Sequence, residues 1–161
     1  MKGVPAVSLR RVATAADARQ LFEWRNHPFI WSRGSSQRTV SWAEHEAWFA
    51  ASLQNPDRVI YLIEQAGVPV GMVRFDRESE EACVISAYLA QEYVGRGLGV
   101  AAIVRACGQV FDLWPVAEVR AFVRRDNIYG LSGFRKAGFG PSRAARIADH
   151  EALHLLRREK P

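Results

Sequence analysis

The segment QEYVGRGLGVAAIVRACGQVF, residues 91–111, combines closely spaced glycines with an apolar stretch of helical spacing. Gly95, Gly97 and Gly99 alternate with Arg96 and Leu98 directly before that stretch. Glycine allows positive φ and close approach of a ligand to the backbone, and the free N–H groups at a helix start attract anions. Together with the charge of Arg96, the segment predicts a diphosphate site; a merely tight connection between two elements is the alternative.

The spacing of these glycines disfavours two common nucleotide-binding motifs. No Gly-Lys-Ser or Gly-Lys-Thr follows, as the phosphate loop of nucleoside triphosphatases requires. The pattern is GxGxG rather than GxGxxG and lies in mid-chain, so a dinucleotide-binding fold is also disfavoured.

The hydrophobic pattern predicts one α/β (α+β) domain over residues 1–161, with a central, mixed and mostly antiparallel sheet flanked by helices in the order β-α-α-β-β-β-α-β-α-β. Strands are predicted at Val7–Thr14, Arg58–Gln65, Val70–Glu78, Ala82–Ala90, Ala117–Asp126 and His150–Glu159. Helices are predicted after the N-cap Thr14, after the N-cap Ser41, at Val100–Leu113 and at Asn127–Phe139. Short connections indicate an antiparallel meander for the second to fourth strands. Residues Pro28–Ser41, with Pro, Gly and Ser, predict a loop.

Composition limits the class of protein. The chain has 161 residues, a net charge of +5 and a sequence pI of about 9.7, which favours anionic partners, although a solvated basic surface is the alternative. Cys83 and Cys107 lie outside any CxxC pair and predict reduced core residues. His150 and His154, four apart on a predicted strand without a third ligand, indicate no metal site. Neither a signal peptide nor an apolar span of roughly 20 residues is evident, which predicts a cytoplasmic protein without a membrane partner.

Two segments resemble the coenzyme A motifs of the GNAT acetyltransferases. The first resembles the acetyl-CoA loop Q/R-x-x-G-x-G/A at Val94, Gly95, Arg96, Gly97, Leu98 and Gly99. The second is similar to N-x-x-A-x-x-L-Y-x-K-x-G-F at Asn127, Lys136, Gly138 and Phe139. The resemblance covers about Val7 to Phe139 and implies an acetyl-CoA-dependent N-acetyltransferase, with acetyl-CoA as cosubstrate and no metal.

The chain departs from the family pattern at two positions. Val94 replaces the usual Gln or Arg, which is tolerable where the backbone binds the phosphates. Phe134, a cofactor-binding candidate, stands where the family often has a tyrosine that protonates the departing thiolate. Tyr129, Ser132 or water are the candidate replacements, since a thiolate of pKa ~8.5 needs little help near neutral pH.

The resemblance also implies a mechanism. The strand before the glycines splays from its neighbour, and an N–H near Leu89 polarises the thioester carbonyl, typically worth ~3 kcal/mol per donor. A primary amine then attacks directly, and some base or water chain takes its proton. The candidate bases are His45, Asp76, Glu80 and Glu81.

The acceptor prediction depends on the segment LFEWRNHPFIW, residues 21–31. It resembles the helix end of bacterial acetyltransferases acting on UDP-4-amino sugars in pseudaminic acid synthesis. That resemblance implies contacts of Arg25 and His45 with a nucleotide sugar, and Asn26 is a further candidate. Strand residues Arg74, Ser86 and Tyr88 are placed to line the acceptor pocket.

Other functions remain open at this stage. The same chemistry on a protein N-terminus, a ribosomal protein or an aminoglycoside is the first alternative, although Arg25, Arg33, Arg38 and Arg74 argue against an acidic cleft for a polycationic drug. A non-catalytic coenzyme A or nucleic-acid binding module is the second, although no RNA-binding signature is present. A monomer and a homodimer are both compatible with the sequence.

Overall fold

The fold is built on one seven-stranded sheet in the order β1-β2-β3-β4-β5-β7-β6. The computed structural model describes residues 5–34, 36–140, 142–147 and 150–158. The strands are β1 (Ser8–Arg11), β2 (Arg58–Gln65), β3 (Val68–Arg77), β4 (Ala82–Leu89), β5 (Glu118–Arg124), β6 (Ser142–Ile147) and β7 (His150–Arg158). The helices are α1 (Ala15–Arg25), α2 (Pro28–Trp31), α3 (Trp42–Gln54), α4 (Leu98–Leu113) and α5 (Ile128–Lys136), and a 3₁₀ turn covers Gln91–Tyr93.

Strand pairing follows the predicted meander. β2 pairs antiparallel with β3, and β3 pairs antiparallel with β4. The β4–β5 pair is parallel, because α4 crosses over between them. The β5–β7 and β7–β6 pairs are antiparallel, so the sheet is mixed and mostly antiparallel as predicted.

The two faces of the sheet have separate cores. On one face, α4 and α5 bury side chains such as Leu98, Ala106 and Phe134 against Phe75 and Val119. On the other face, α1 and α3 bury a second set against β2 and β3: Leu21, Trp24, Phe49, Leu62 and Met72. Because α1 and α3 cover the β2–β3 side of that face, the ends of β4 and β5 are left beside the loop that follows α2.

The predicted helix caps are present. Thr14 Oγ1 accepts a hydrogen bond from the Asp17 N–H at 3.2 Å, and the Asp17 carboxylate accepts from the Thr14 N–H at 3.2 Å. Arg10 donates to the same carboxylate at 2.9 and 3.0 Å, and this bond holds the pKa of Asp17 well below its usual range. Ser41 Oγ accepts from the Glu44 N–H at 3.1 Å and starts α3.

Three sequence predictions need correction. The predicted loop Pro28–Ser41 begins with the short helix α2, since proline suits the first helical position and His27 Nδ1 accepts from the Phe29 N–H at 3.1 Å. Strand β6 was not predicted, because SRAARI has little apolar alternation and is ordered by pairing with β7. Helix α4 begins at Leu98 rather than Val100, because Gly97 adopts φ 78° and serves as the N-cap.

Candidate functional site

The strands β4 and β5 separate at one end and leave an opening in the middle of the sheet. Their pairing covers Ala82–Ile85 against Glu118–Ala121 and ends there. β4 continues to Leu89 beside β3, and β5 continues to Arg124 beside β7. The edges that face each other beyond Ile85 therefore have backbone groups without a partner in the β4–β5 ladder.

The register identifies which β4 groups face this opening. In an antiparallel pair, opposite residues alternate between hydrogen-bonded and non-hydrogen-bonded pairs. The Ala90 N–H donates to Val70 O at 2.9 Å, and the Glu78 N–H donates to Ala82 O at 3.0 Å at the other end of the same ladder. Leu89, opposite Gly71, belongs to the alternate class, so its N–H points away from β3 and towards the opening.

The glycine segment lies beside the end of β4. Gly95 and Gly97 adopt φ 81° and 78°, in the left-handed region, and a Cβ on Gly99 would lie 3.5 Å from Leu89 Cδ1. Gly97 caps α4 without a side-chain hydrogen bond, and the first N–H groups of a helix have no intrahelical acceptor. These donors and the helix dipole form a site suited to a phosphate group.

Arg96 and Val94 flank this site. Arg96 is exposed, with its guanidinium 5.6 Å from the centre of the Tyr93 ring. Val94 is half-buried and precedes the left-handed glycine. Leu98 is 1% exposed and anchors the first turn of α4 in the core, so the loop is fixed at its helical end.

The second motif begins α5 near the opening. Asn127 is the N-cap, and its Oδ1 accepts from the Gly130 N–H at 3.0 Å. A Cβ on Gly130 would lie 2.6 Å from Asn127 Nδ2, so a glycine is needed there for this cap geometry. Phe134 packs edge-on against Phe139 at 5.1 Å and lines the cavity described below. Lys136 is exposed at the other end of the helix, roughly 12 Å from its start.

A cavity of about 880 Å³ lies against the opening, between α1, α2, α3 and the ends of β4 and β5. The charged side chains that line it, among the described residues, are Arg25, Arg33, Arg38, Arg74, Arg124, Arg146 and Glu44. Arg74 is paired with Asp76 at 2.8 Å, and Arg38 with Glu44 at 3.3 Å. Because guanidinium groups outnumber carboxylates, the cavity favours an anionic guest.

Arg25 lies in this cavity without a carboxylate partner among the described residues. Its guanidinium donates to Arg38 O at 2.7 Å and to Ser36 Oγ at 2.8 Å. Burial, together with the charge of Arg38, lowers its pKa. A partly desolvated cation that meets only neutral acceptors gains from an added anion. Neighbouring Asn26 instead ties the chain to Val40, with Nδ2 donating to Val40 O and Oδ1 accepting from Val40 N–H.

His45 lines the cavity but is held by the protein. Its Nε2 lies 2.7 Å from Ala18 O, which as a carbonyl can only accept, so Nε2 carries the proton. Aromatic rings surround the imidazole at centroid distances of 5.4–6.5 Å: Phe22, Trp42, Trp48 and Phe49. Burial lowers the pKa of His45, so the ring is kept neutral and Nε2 is not available as a base.

Three predicted strand residues line the cavity together. Arg74, Ser86 and Tyr88 all border it, and Arg74 Nη2 lies 3.4 Å from Ser86 Oγ. Tyr88 packs edge-on against Trp24 at 6.0 Å. Burial raises the pKa of the Tyr88 phenol, so this hydroxyl stays protonated near neutral pH and is a weaker acid than a free phenol.

The structure does not bring the remaining acid–base candidates to the opening. Glu80 and Glu81 are exposed at the start of β4, and because the strand is extended Glu81 lies roughly 26 Å from Leu89. Asp76 is hydrogen-bonded to Arg58 and Arg74. Tyr129 is 71% exposed on the first turn of α5 and is not part of the cavity wall. Ser132 lies further along the same helix.

The cavity also contains residues that sequence reasoning did not select. Phe122 and Arg124 on β5 both line it, and Phe122 stacks on His154 at 4.6 Å. The alternation of the predicted strand would have placed them on one face. Nothing in the sequence indicated that this face adjoins the cavity, because that depends on where the chain after α2 packs.

Neither a metal cluster nor a membrane helix is found in the described ranges. No group of three or more His, Cys, Asp or Glu side chains there is placed to hold a metal ion. His150 Nε2 lies 3.0 Å from Gln37 Oε1, and His154 stacks on Phe122. No helix in the same part of the chain is long and apolar enough to cross a bilayer.

Comparison with known proteins adds the family. The chain resembles aminoglycoside acetyltransferase AAC(6')-Ib solved with coenzyme A (TM-score 0.82, 20% identity, 95% of each chain covered). It also resembles spermidine N-acetyltransferase from Vibrio cholerae solved with CoA and spermine (0.84, 16%, 94% and 95% covered). A third similar structure is N-acetyltransferase PseH from Campylobacter jejuni with acetyl coenzyme A (0.72, 15%, 96% and 100% covered). No curated protein sequence matches. A family model described as Acetyltransferase (GNAT) domain matches residues 7–140. The chain therefore belongs to the GNAT family and is an acetyltransferase.

Proposed function

We propose that this acetyltransferase transfers the acetyl group of acetyl-CoA to the amine of an anionic small molecule, an amino sugar linked to a nucleotide. The observation that carries the proposal is Arg25, a partly buried guanidinium that faces the cavity without a carboxylate partner among the described residues. A phosphate of the acceptor would supply the missing negative charge. The cavity volume of about 880 Å³ is at the upper end of the range for small-molecule sites.

The charge of the cavity disfavours the polycationic acceptors named for two of the similar structures. Arg33 donates to Phe29 O at 2.7 Å and lies 3.9 Å from the centre of the Phe29 ring, so its charge, like that of Arg25, is not neutralised by a carboxylate of the described residues. An aminoglycoside or a polyamine would bring several further positive charges into this space. The resulting repulsion lowers affinity, whereas a nucleotide sugar is attracted.

The opening between β4 and β5 supports the proposed position of acetyl-CoA. The left-handed glycines and the first N–H groups of α4 are suited to the pyrophosphate. The exposed edges of β4 and β5 offer backbone hydrogen bonds to the amide groups of pantetheine. Leu89 N–H then donates to the thioester oxygen, where negative charge develops as the amine attacks.

The protons must be moved largely by water. The amine has to be neutral to attack, and the N–H at Nε2 of His45 already donates to Ala18 O. Glu44, the carboxylate among the described cavity residues, is exposed and paired with Arg38. Phe134 has no proton for the thiolate, and burial raises the pKa of Tyr88, which makes it a poor acid, so we assign protonation of the thiolate to water. We therefore propose that the amine attacks the thioester carbonyl directly and loses its proton to solvent.

A panel of acceptors tests the proposal. Thiol release from acetyl-CoA is measured with a UDP-4-amino sugar, an aminoglycoside, spermidine and a peptide with a free N-terminus. We expect turnover with the nucleotide sugar and a value of kcat/KM at least tenfold lower with each cation. Turnover confined to an aminoglycoside, spermidine or the peptide would overturn the acceptor assignment.

Variants at two arginines locate the anion site. Arg25→Met should raise the KM for the nucleotide sugar by about 10- to 100-fold, because a charge-assisted hydrogen bond contributes about 1.5–3 kcal/mol, and leave the KM for acetyl-CoA within about twofold. The control is Arg19→Met on the same helix, where Arg19 lies over the Trp42 ring at 4.5 Å, outside the cavity wall. An equal loss of affinity for both substrates would refute the role of Arg25.

A further inference from the structure

Arg124 makes an unusual set of contacts at the end of β5. It is 8% exposed although it carries a charge. Nε and Nη2 donate to the two carboxylate oxygens of Asp126 at 3.0 and 2.5 Å. Nη1 donates to the backbone of a distant segment, to Ser32 O at 3.0 Å and towards Gly34 O at 3.4 Å.

That segment forms one wall of the cavity. We define the acceptor loop as residues 32–34 and 36–38, which follow α2. Arg25 donates to two of its members, Ser36 and Arg38. Gln37 Nε2 donates to Ser32 O at 3.2 Å within the loop, and its Oε1 lies 3.0 Å from His150 Nε2 on β7. The loop is therefore attached to α1 at one point and to β5 and β7 at others.

We propose that Arg124 is a positioning residue that holds the acceptor loop over the cavity and thereby keeps Arg25 and Arg33 in place to bind the acceptor. Arg124 does not act as an anion site itself, because the carboxylate of Asp126 already binds two of its nitrogen atoms. Its remaining donor is directed at backbone oxygens of the loop. Arg124 thereby contributes to acceptor specificity. That the acceptor is a nucleotide sugar rests on the proposed function.

The geometry requires arginine in particular. A guanidinium has a planar fork that binds a carboxylate with one edge and still has an N–H on the other side. A lysine ammonium is a single point on a flexible stem and cannot reach Asp126 and the loop in the same directions. Arg124→Lys should therefore keep the charge but lose the attachment of the loop.

The same strand provides a matched control. Arg120 lies four residues before Arg124, on the same face of β5, and donates to Glu118 at 2.8 Å. Like Arg124 it is paired with a carboxylate two residues away. In the described part of the chain its ion-pair partners are Glu118 and Glu78, which lie outside the acceptor loop. Arg120→Met therefore removes a comparable ion pair without touching the loop.

The first experiment compares steady-state kinetics of wild type, Arg124→Met, Arg124→Lys and Arg120→Met with acetyl-CoA and a UDP-4-amino sugar. We expect both Arg124 variants to raise the acceptor KM at least tenfold, with the acetyl-CoA KM within about twofold of wild type. Arg120→Met should resemble wild type in both constants. An acceptor KM that changes equally in Arg120→Met and the Arg124 variants would overturn the proposal.

The second experiment does not depend on the acceptor. Arg33 and Arg38 are exposed trypsin sites on the acceptor loop, so cleavage after either residue, identified by mass spectrometry, reports detachment of the loop. We expect cleavage at these two sites to be at least fivefold faster in Arg124→Lys than in wild type and Arg120→Met, with cleavage elsewhere unchanged.

Loop cleavage at the wild-type rate would refute the role of Arg124, even if no nucleotide sugar is a substrate. Faster loop cleavage without nucleotide-sugar turnover would support Arg124 and refute only the proposed acceptor. Thermal unfolding identifies a misfolded Arg124→Met, in which case Arg124→Lys decides.

Discussion

At the scale of single residues, the proposed mechanism relies on backbone groups more than on side-chain acids and bases. Leu89 contributes an N–H whose direction is set by the β3–β4 register. Phe134 and His45 occupy positions where proton transfer was considered, yet one has no proton and the other is hydrogen-bonded to Ala18. A GNAT enzyme that transfers acetyl directly can operate in this way, because positioning and oxyanion stabilisation supply much of the rate.

Replacing Leu89 by proline tests the backbone donor. The substitution removes the N–H that faces the opening but breaks no hydrogen bond to β3. Proline is tolerated at strand positions whose N–H takes no part in the ladder. We expect kcat to fall by about 10²- to 10³-fold with a small change in acetyl-CoA affinity. Ala87→Pro is the control. Ala87 pairs with Val73 in the same class of pair as Leu89 with Gly71, so the N–H of Ala87 also faces the opening. A similar kcat in both variants would contradict the assignment.

His45→Gln separates a structural role from a catalytic one. Burial lowers the pKa of His45 in the folded state, so the unfolded chain takes up the proton first, near pH 6.5. The stabilisation by neutral His45 is therefore present above about pH 6.5 and is lost as the pH falls towards the folded-state pKa. Glutamine keeps a donor for Ala18 O. Urea unfolding should show the variant less stable by roughly 1–2 kcal/mol at pH 7.5, with a smaller difference at pH 5.5.

The control for this variant is His27→Gln, at an exposed histidine whose ring caps α2 instead of being buried among aromatic rings. A stability difference that stays constant between pH 7.5 and 5.5 would argue against a neutral buried imidazole. In addition, kcat of folded His45→Gln should stay close to the wild-type value. A loss of about 10²-fold or more would instead identify His45 as the general base, acting through Nδ1.

At the scale of elements, the proposed coenzyme A site depends on the positions of two helix N-termini. Gly97, at φ 78°, is the N-cap of α4, so the free N–H groups of the first helical turn lie beside the end of β4. Asn127 starts α5 near the same opening. Two helix N-termini therefore converge on the place where β4 and β5 separate, which concentrates partial positive charge where a phosphorylated cosubstrate would bind.

Two glycines, one at the N-cap of α4 and one inside the helix, provide a matched pair of variants. Gly97→Ala forces a Cβ into the left-handed region, and we expect a loss of about 1–2 kcal/mol of stability with weaker coenzyme A binding. Gly108 lies inside the helix, and a Cβ there would meet nothing within 4 Å. Gly108→Ala should therefore stabilise the protein by about 0.5–1 kcal/mol. Thermal unfolding and calorimetry with coenzyme A measure both effects. Equal coenzyme A affinity in the two variants would contradict the role of the Gly97 turn.

At the scale of the whole molecule, charge is distributed unevenly. The chain carries +5 overall, and arginines are the main charged groups of the described cavity wall. Among them, Arg74 is paired with the carboxylate of Asp76, Arg38 with that of Glu44 and Arg124 with that of Asp126. Among the described cavity residues, Arg25 and Arg33 on the α1–α2 side have no carboxylate partner, and in the proposed function the amine lies beside the opening at Leu89.

This separation of charge predicts a salt dependence. The KM for an anionic acceptor should rise at least threefold between about 0.05 and 0.5 M NaCl, because the Debye length falls from roughly 14 to 4 Å over that range. In Arg25→Met the rise should be smaller, since part of the screened attraction is absent. An acceptor KM that is independent of salt in the wild type would argue against an anionic acceptor.

The sequence by itself determined much of the architecture. Alternation and capping signals predicted the meander, the N-caps Thr14 and Ser41 and a helix after the glycine segment, because these depend on local periodicity and short-range hydrogen bonds. The glycine spacing of residues 95–99 predicted a phosphate-binding loop for the same local reason, and that role stays a prediction. Strand β6 was missed, because its pairing with β7 depends on contacts rather than on composition.

Only the tertiary structure decided which side chains share the cavity. It placed Arg25, Arg74 and Tyr88 in one wall and left Glu81 at the far end of β4. It also brought Arg124 to the carbonyl of Ser32, 92 residues away in sequence. Such contacts arise from the packing of whole elements on a twisted sheet, and no local pattern in the chain encodes them separately.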